Sequence, residues 1–102
     1  MLDAAREAMS FAAGKDRGCL NTDRMLVLSL TKDIEIIGEA ASKVSEETRN
    51  DCPDIPWSDV ISMRNHLIHA YFDIDLDVLW STIANDVPSL ISALEKIVSR
   101  AE

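Results

Sequence analysis

The sequence predicts an all-α protein, a four- to five-helix up-down bundle forming one domain over residues 1–102. Three observations predict it. Apolar residues recur at three- and four-residue steps through most of the chain, the spacing of a helix face. No stretch alternates at the two-residue period of a half-buried strand. Gly and Pro number only 3 each in 102 residues, and most fall between the periodic stretches.

Met1 to Ala13 reads as the first helix, with Leu2, Ala5, Met9, Ala12 and Ala13 on one face and Gly14 as its stop. Lys15 to Asn21 is a short polar connector. Asn21, Thr22 or Asp23 can cap the second helix, which runs to about Thr48. Along it Leu30, Ile34, Ile37, Ala41 and Val44 form a heptad seam of about two heptads, too short for a coiled coil. Met25, Ile36 and Ala40 widen the stripe toward a second face, for the core or for another subunit. Gly38, in mid-helix, marks a close approach by a neighbouring helix. Ser45 to Pro56, acidic and broken by Pro53 and Pro56, reads as a loop.

Pro56 or Trp57 opens the third helix. Its inner face is Trp57, Val60, Ile61, Met63, Leu67 and Ile68. Asp73 or Asp75 can cap the last helix. That helix carries Leu76, Leu79, Trp80 and Ile83, then Leu90, Ile91, Leu94 and Val98. Pro88 removes a backbone donor and is expected to kink or split it near Asn85–Val87.

Composition excludes several classes. No apolar run approaches the ~18 residues of a membrane span, and no signal-peptide pattern opens the chain. Cys19 and Cys52 are isolated, which supports neither a disulfide framework nor a zinc site and fits free thiols in a reducing cytoplasm. A formal net charge of -8 is unusual for a nucleic-acid binder. Such a protein must either concentrate its few cations locally or serve a basic partner.

The chemistry gathers in Met63-Arg64-Asn65-His66-Leu67-Ile68-His69-Ala70-Tyr71-Phe72, which holds both histidines and the single tyrosine. On a helical projection Arg64 and Tyr71 lie about 20° apart, and Val60, Leu67, Trp57, Ile68 and Ile61 fall within roughly 60° of Arg64. An arginine so placed needs a partner. Glu35 or Glu39 can supply one across a helix contact; the plainer reading is a solvated acidic face with Glu39 and Lys43 as an i,i+4 pair.

His69 can move protons near neutrality, and Arg64 offers a planar fork that matches phosphate oxygens. The pair suits phosphodiester chemistry. RNA brings its own nucleophile, the 2′-hydroxyl, so no cofactor or metal is called for. Five residues separate Arg64 from His69, about 140° on a helix. To meet one phosphate, either the helix ends near Ile68–Ala70 or the site is shared between subunits. Tyr71 is otherwise a core-edge tyrosine, and His66 falls on the polar side as a surface residue.

Arg64, four residues, His69, one residue and Tyr71, with Asn65 after the arginine, resembles the signature of the HepT-like HEPN-domain family. These are the toxin halves of prokaryotic toxin–antitoxin pairs. The likeness extends to Ile36-Ile37-Gly38-Glu39-Ala40-Ala41, Ile55-Pro56-Trp57 and Asp75-Leu76-Asp77-Val78-Leu79-Trp80, and so covers nearly the whole chain. It implies a HEPN-like bundle, whose first helix commonly begins further upstream than this one. It also implies a metal-independent endoribonuclease toxin acting on RNA, and a homodimer or higher homo-oligomer with Arg64, Asn65 and His69 of both chains lining one cleft. The implied partner is a minimal nucleotidyltransferase antitoxin that silences the toxin by adding AMP at Tyr71.

Two other readings compete. One is a non-catalytic helical module that binds and regulates a nucleotidyltransferase, favoured by the acidic charge. The other is a structural helical oligomer in which Arg64 is simply paired with Glu35 or Glu39.

Overall fold

A computed structural model describes residues 1–68 and 73–101, and its elements are helical. Helix α1 spans Leu2–Ala12, a 3-10 turn spans Arg17–Asn21, and α2 spans Arg24–Ser42. Then come α3 (Glu46–Asp51), α4 (Trp57–Leu67), α5 (Leu76–Ser81), a π-helical turn (Thr82–Asp86) and α6 (Val87–Ala101).

Helix α2 is the centre of the bundle, lying between α1 and α4, while α1 also meets α6. The heptad seam is the core: Leu30, Ile34, Ile37 and Ala41 are all at 0% exposure. From α1 it is Ala5, Ala8 and Ala12 that are buried. Their small side chains let α1 lie close on α2. The second stripe on α2 does not join the core, since Met25 is 80% and Ile36 41% exposed.

Gly38 does what its position suggested. A Cβ there would sit 3.3 Å from the carbonyl oxygen of Ile61 and 3.4 Å from that of Val60. The backbones of α2 and α4 therefore approach closely at this residue, and any side chain there would require the α4 carbonyls to give by a few tenths of an ångström.

Caps set the boundaries. Asp23 accepts from the Leu26 amide at 3.0 Å and starts α2, and Asp75 accepts from the Asp77 and Val78 amides to start α5. Gly14, at φ 74, follows α1. The second helix is shorter than its periodicity predicts, ending at Ser42 rather than near Thr48. Ser45 accepts from the Thr48 amide and, with Glu46 and Glu47 in the first turn, starts the separate helix α3 where a loop was expected. Arg49 of α3 then donates to the Ala41 and Ser42 carbonyls, both at 3.1 Å, closing the end of α2.

The last helix is split as Pro88 requires. A proline ring clashes with the carbonyl four residues back, and the π turn just before it absorbs the misfit. Leu79, Ile83, Val87, Leu90 and Leu94 are buried from this arm, whereas Val98, expected inside, is 46% exposed. Among the described residues no helix is long and apolar enough to cross a membrane.

Candidate functional site

Helix α4 begins after Pro56 and ends at Leu67. Ile68 is already extended, with φ -106 and ψ 119. It forms an isolated antiparallel bridge with Ile74, and the Asp75 amide donates to the Leu67 carbonyl at 2.7 Å. The helix thus stops between Arg64 and His69. This removes the difficulty of the 140° separation, because the two residues need not share a straight helix. His69 and Tyr71 themselves lie outside the described residues.

Arg64 is less buried than its apolar neighbours suggested. Its side chain is 43% exposed. The residues α4 buries are Val60, Met63 and Leu67, whose mean direction lies roughly 70° from Arg64 on the projection. The arginine therefore stands at the edge of the apolar face. From there its Nε donates to Glu35 Oε1 at 2.9 Å, across the α2–α4 contact. Lys32 approaches the other oxygen of the same carboxylate at 3.9 Å, while Glu39 pairs with Lys43 at 3.2 Å. Of the two glutamates weighed from the sequence, Glu35 balances Arg64. Glu39 belongs to the solvated face.

Glu35, Gly38, Glu39, Ser42, Ile61, Arg64 and Asn65 line a groove of about 310 Å³ along the α2–α4 seam. Asn65 is exposed on it. Glu35 engages only the Nε of Arg64, and neither terminal amino group has a hydrogen bond among the described residues. A guanidinium held at one edge with its fork open is the arrangement that binds an oxyanion in two-point fashion. On the opposite flank of α4 lies a wider groove of about 600 Å³, floored by Val60, Met63 and Leu90 and bordered by Asp54, Asp59, Asp86 and His66. Its acidic border is unsuited to a polyanion.

One ionisable residue escaped the reading of the sequence. Asp33 is only 2% exposed, and its Oδ2 is buried with no hydrogen-bond partner. Burial pushes its carboxyl up to about 7, helped by a hydrogen bond with Glu7 of α1 and by that residue's charge. Two carboxyl groups can bond each other only through a shared proton, so a bond between Asp33 and Glu7 requires one of them to be protonated. The signal was present: Asp33 stands about 60° from Leu30 on the projection, at the edge of the buried seam.

The geometry of the seam can be set beside known proteins. Residues 1–97 match the family of HepT-like ribonucleases. The chain belongs to this family. A protein named "Probable ribonuclease HepT" from Thermococcus cleftensis is 40% identical over 75 residues, which cover 74% of this chain and 68% of that protein. A second relative, "Putative RNase MJ1380" from Methanocaldococcus jannaschii, is 32% identical over 95 residues, covering 93% of this chain and 87% of the relative. No solved structure matches the chain. HepT-like membership accounts for the helical bundle and supports a ribonuclease activity.

Proposed function

We propose that the protein is a metal-independent endoribonuclease toxin whose Arg64, Asn65 and His69 act on RNA phosphodiesters. The observation that carries this reading is the state of Arg64. Its Nε is anchored by Glu35, its fork is open to a groove, and it lies at the end of a helix whose next turn of sequence is His69. In this scheme His69 takes the proton from the RNA 2′-hydroxyl as that oxygen attacks phosphorus. The bond from phosphorus to the 5′-oxygen breaks, the departing 5′-oxygen takes a proton from water, and a 2′,3′-cyclic phosphate remains. Arg64 holds the phosphate and offsets the charge that develops on its oxygens. Asn65 adds a donor on the same groove.

The chain works as a single domain and as a homodimer, in which the grooves of two copies face one cleft. A minimal nucleotidyltransferase partner silences the toxin by adding AMP to Tyr71. The added phosphate and bulk two residues from His69 exclude RNA by charge and occupancy.

Purified protein incubated with RNA in EDTA, beside Arg64→Ala and His69→Ala variants checked for folding by circular dichroism, tests the reading. Cleavage by the wild type that both variants lose is the expected result. Equal inertness of all three, with Tyr71 unmodified by mass spectrometry, would overturn it. The acidic groove on the far side of α4 favours one alternative, a non-catalytic module that binds and regulates a nucleotidyltransferase. That inert outcome would select it.

A further inference from the structure

The net charge of -8 leaves open how RNA is attracted at all. Four of the ten lysines and arginines are engaged elsewhere. Arg6 pairs with Glu95, Arg17 with Asp77 and Lys43 with Glu39, and Arg49 closes the carbonyl end of α2. Arg24 and Lys32 are different. Both are exposed on α2, and both line a groove of about 300 Å³ whose other walls include Leu28, Ile68 and Ile74. Arg24 has no ion pair among the described residues, and Lys32, its side chain 70% exposed, makes only a long 3.9 Å approach to Glu35. Among those residues the only carboxylate lining this groove is Glu35, already held by Arg64 at 2.9 Å. The nearby Asp23 and Asp75 are turned into caps of α2 and α5.

Glu35 also lines the groove that holds Arg64 and Asn65. The two grooves therefore meet at the Glu35–Arg64 pair, and the first is walled by Ile68, the chain neighbour of His69. Along α2, Arg24 and Lys32 are about 12 Å apart, and Lys32 is about one turn from Glu35. Arg24, Lys32 and Arg64 thus follow one another along a single path with one carboxylate between them. On the far flank of α4 the groove shows the opposite sign.

We infer that Arg24 and Lys32 form an RNA-backbone track that leads the strand to Arg64. The inference rests on the ribonuclease reading above for its substrate and adds the path by which an acidic protein captures it. Neither residue touches the reacting phosphate. Each neutralises a flanking phosphate and releases counterions, so each contributes to binding and to its salt dependence.

The test uses the full chain and an R24Q/K32Q variant, checked for folding by circular dichroism. Fluorescence anisotropy across a salt series measures binding to a single-stranded 2′-O-methyl RNA oligonucleotide, which lacks the attacking hydroxyl and is not cut. For a single strand each lost phosphate contact lowers the slope of log K against log salt by about 0.7, so the double variant is expected to lose about 1.4. With unmodified RNA its KM should rise while kcat stays within about two-fold, because only uniform binding is removed. An unchanged slope in the double variant, or no binding by the wild type, would overturn the track. Cleavage of unmodified RNA by the wild type is read separately. If the slope falls but nothing is cut, the track stands and the nuclease reading fails; if RNA is cut with the slope unmoved, the reverse holds.

Discussion

Helix α2 carries two carboxylates two residues apart, about 200° around the helix, and they meet different fates. Asp33 turns toward α1, is 2% exposed and finds Glu7. Glu35 turns toward α4, keeps 31% of its side chain exposed and finds Arg64 at 2.9 Å and Lys32 at 3.9 Å. On the first side burial and a like charge favour a proton, and the carboxyl is pushed up to about 7. On the second, water and two cations hold a charged network in place. An acidic side chain therefore says little until its neighbours are known. The compensating cations of this helix all stand on the α4 side, next to the residues proposed for catalysis.

Removing the uncompensated carboxyl is expected to have the largest effect. Because the folded-state value is raised from 3.8 to about 7, the stability Asp33 contributes is fully present below pH 3.8 and is lost as the pH rises through 7. A rise of that size amounts to about 4 kcal/mol once the carboxyl is ionised in both the folded and the unfolded chain. Asp33→Asn should therefore be the more stable protein at pH 8, by roughly 3 kcal/mol after the amide's own desolvation is discounted. It should lose this advantage near pH 4. Urea unfolding at the two pH values checks it, and parallel pH profiles for the two proteins would refute the buried-proton account.

On the other side of α2 the expected effect is on activity. Arg64→Lys keeps the charge and loses the fork, so RNA cleavage should fall by about 100-fold. The pair is half-exposed, and unfolding should move by less than about 1 kcal/mol. Single-turnover cleavage and urea unfolding of the same preparation separate the two. A lysine variant as active as the wild type would reduce Arg64 to a point charge.

How much of this was legible follows the same division. The seam of α2, the approach at Gly38, the break before Pro88 and the pairing of Arg64 with Glu35 or Glu39 were readable, because each depends on spacing along one helix or on a residue with one common use. The end of α2 was not. The apolar period continues to Val44, and only Ser45 as a cap, with Arg49 folding back onto the last carbonyls, stops the helix at Ser42. The exposure of Arg64 was missed because the projection counted apolar neighbours without knowing which of them α4 would bury. Asp33 was missed because its partner, Glu7, lies on another helix. The motif itself was found from spacing and resemblance, and two of its residues, His69 and Tyr71, lie outside the described residues.

Gly38 is where the helices flanking Arg64 and Glu35 are brought together, so it tests the α4 side through packing. Alanine gains roughly 1 kcal/mol of helix propensity. Its methyl would meet the Ile61 carbonyl oxygen at 3.3 Å and that of Val60 at 3.4 Å, and overpacking against backbone costs about 1–3 kcal/mol. The clash should win, leaving Gly38→Ala about 1 kcal/mol less stable by thermal unfolding, with reduced cleavage because the α2–α4 spacing sets the Glu35–Arg64 contact. A stabilised variant would show that α4 can shift away at no cost.

The smallest effect is expected from the ion pair of Glu39, which borders the Arg64 groove while its partner Lys43 does not. Lys43 and Glu39 lie 3.2 Å apart, closer than Lys32 and Glu35, yet their side chains are 74% and 70% exposed. Solvent screens such a pair and ordering two long side chains offsets most of its gain, so Lys43→Ala should change stability by less than about 0.5 kcal/mol. Cleavage should change by less than about two-fold, since Lys43 lines neither the groove of Arg64 nor that of Arg24 and Lys32. Measured beside Lys32→Ala, it separates net charge from placement. Each variant removes one positive charge from α2 or its edge, but only Lys32 borders the path to Arg64. Equal losses of RNA affinity would mean that the bulk charge of the protein governs binding. A loss confined to Lys32→Ala would mean that position along the groove does.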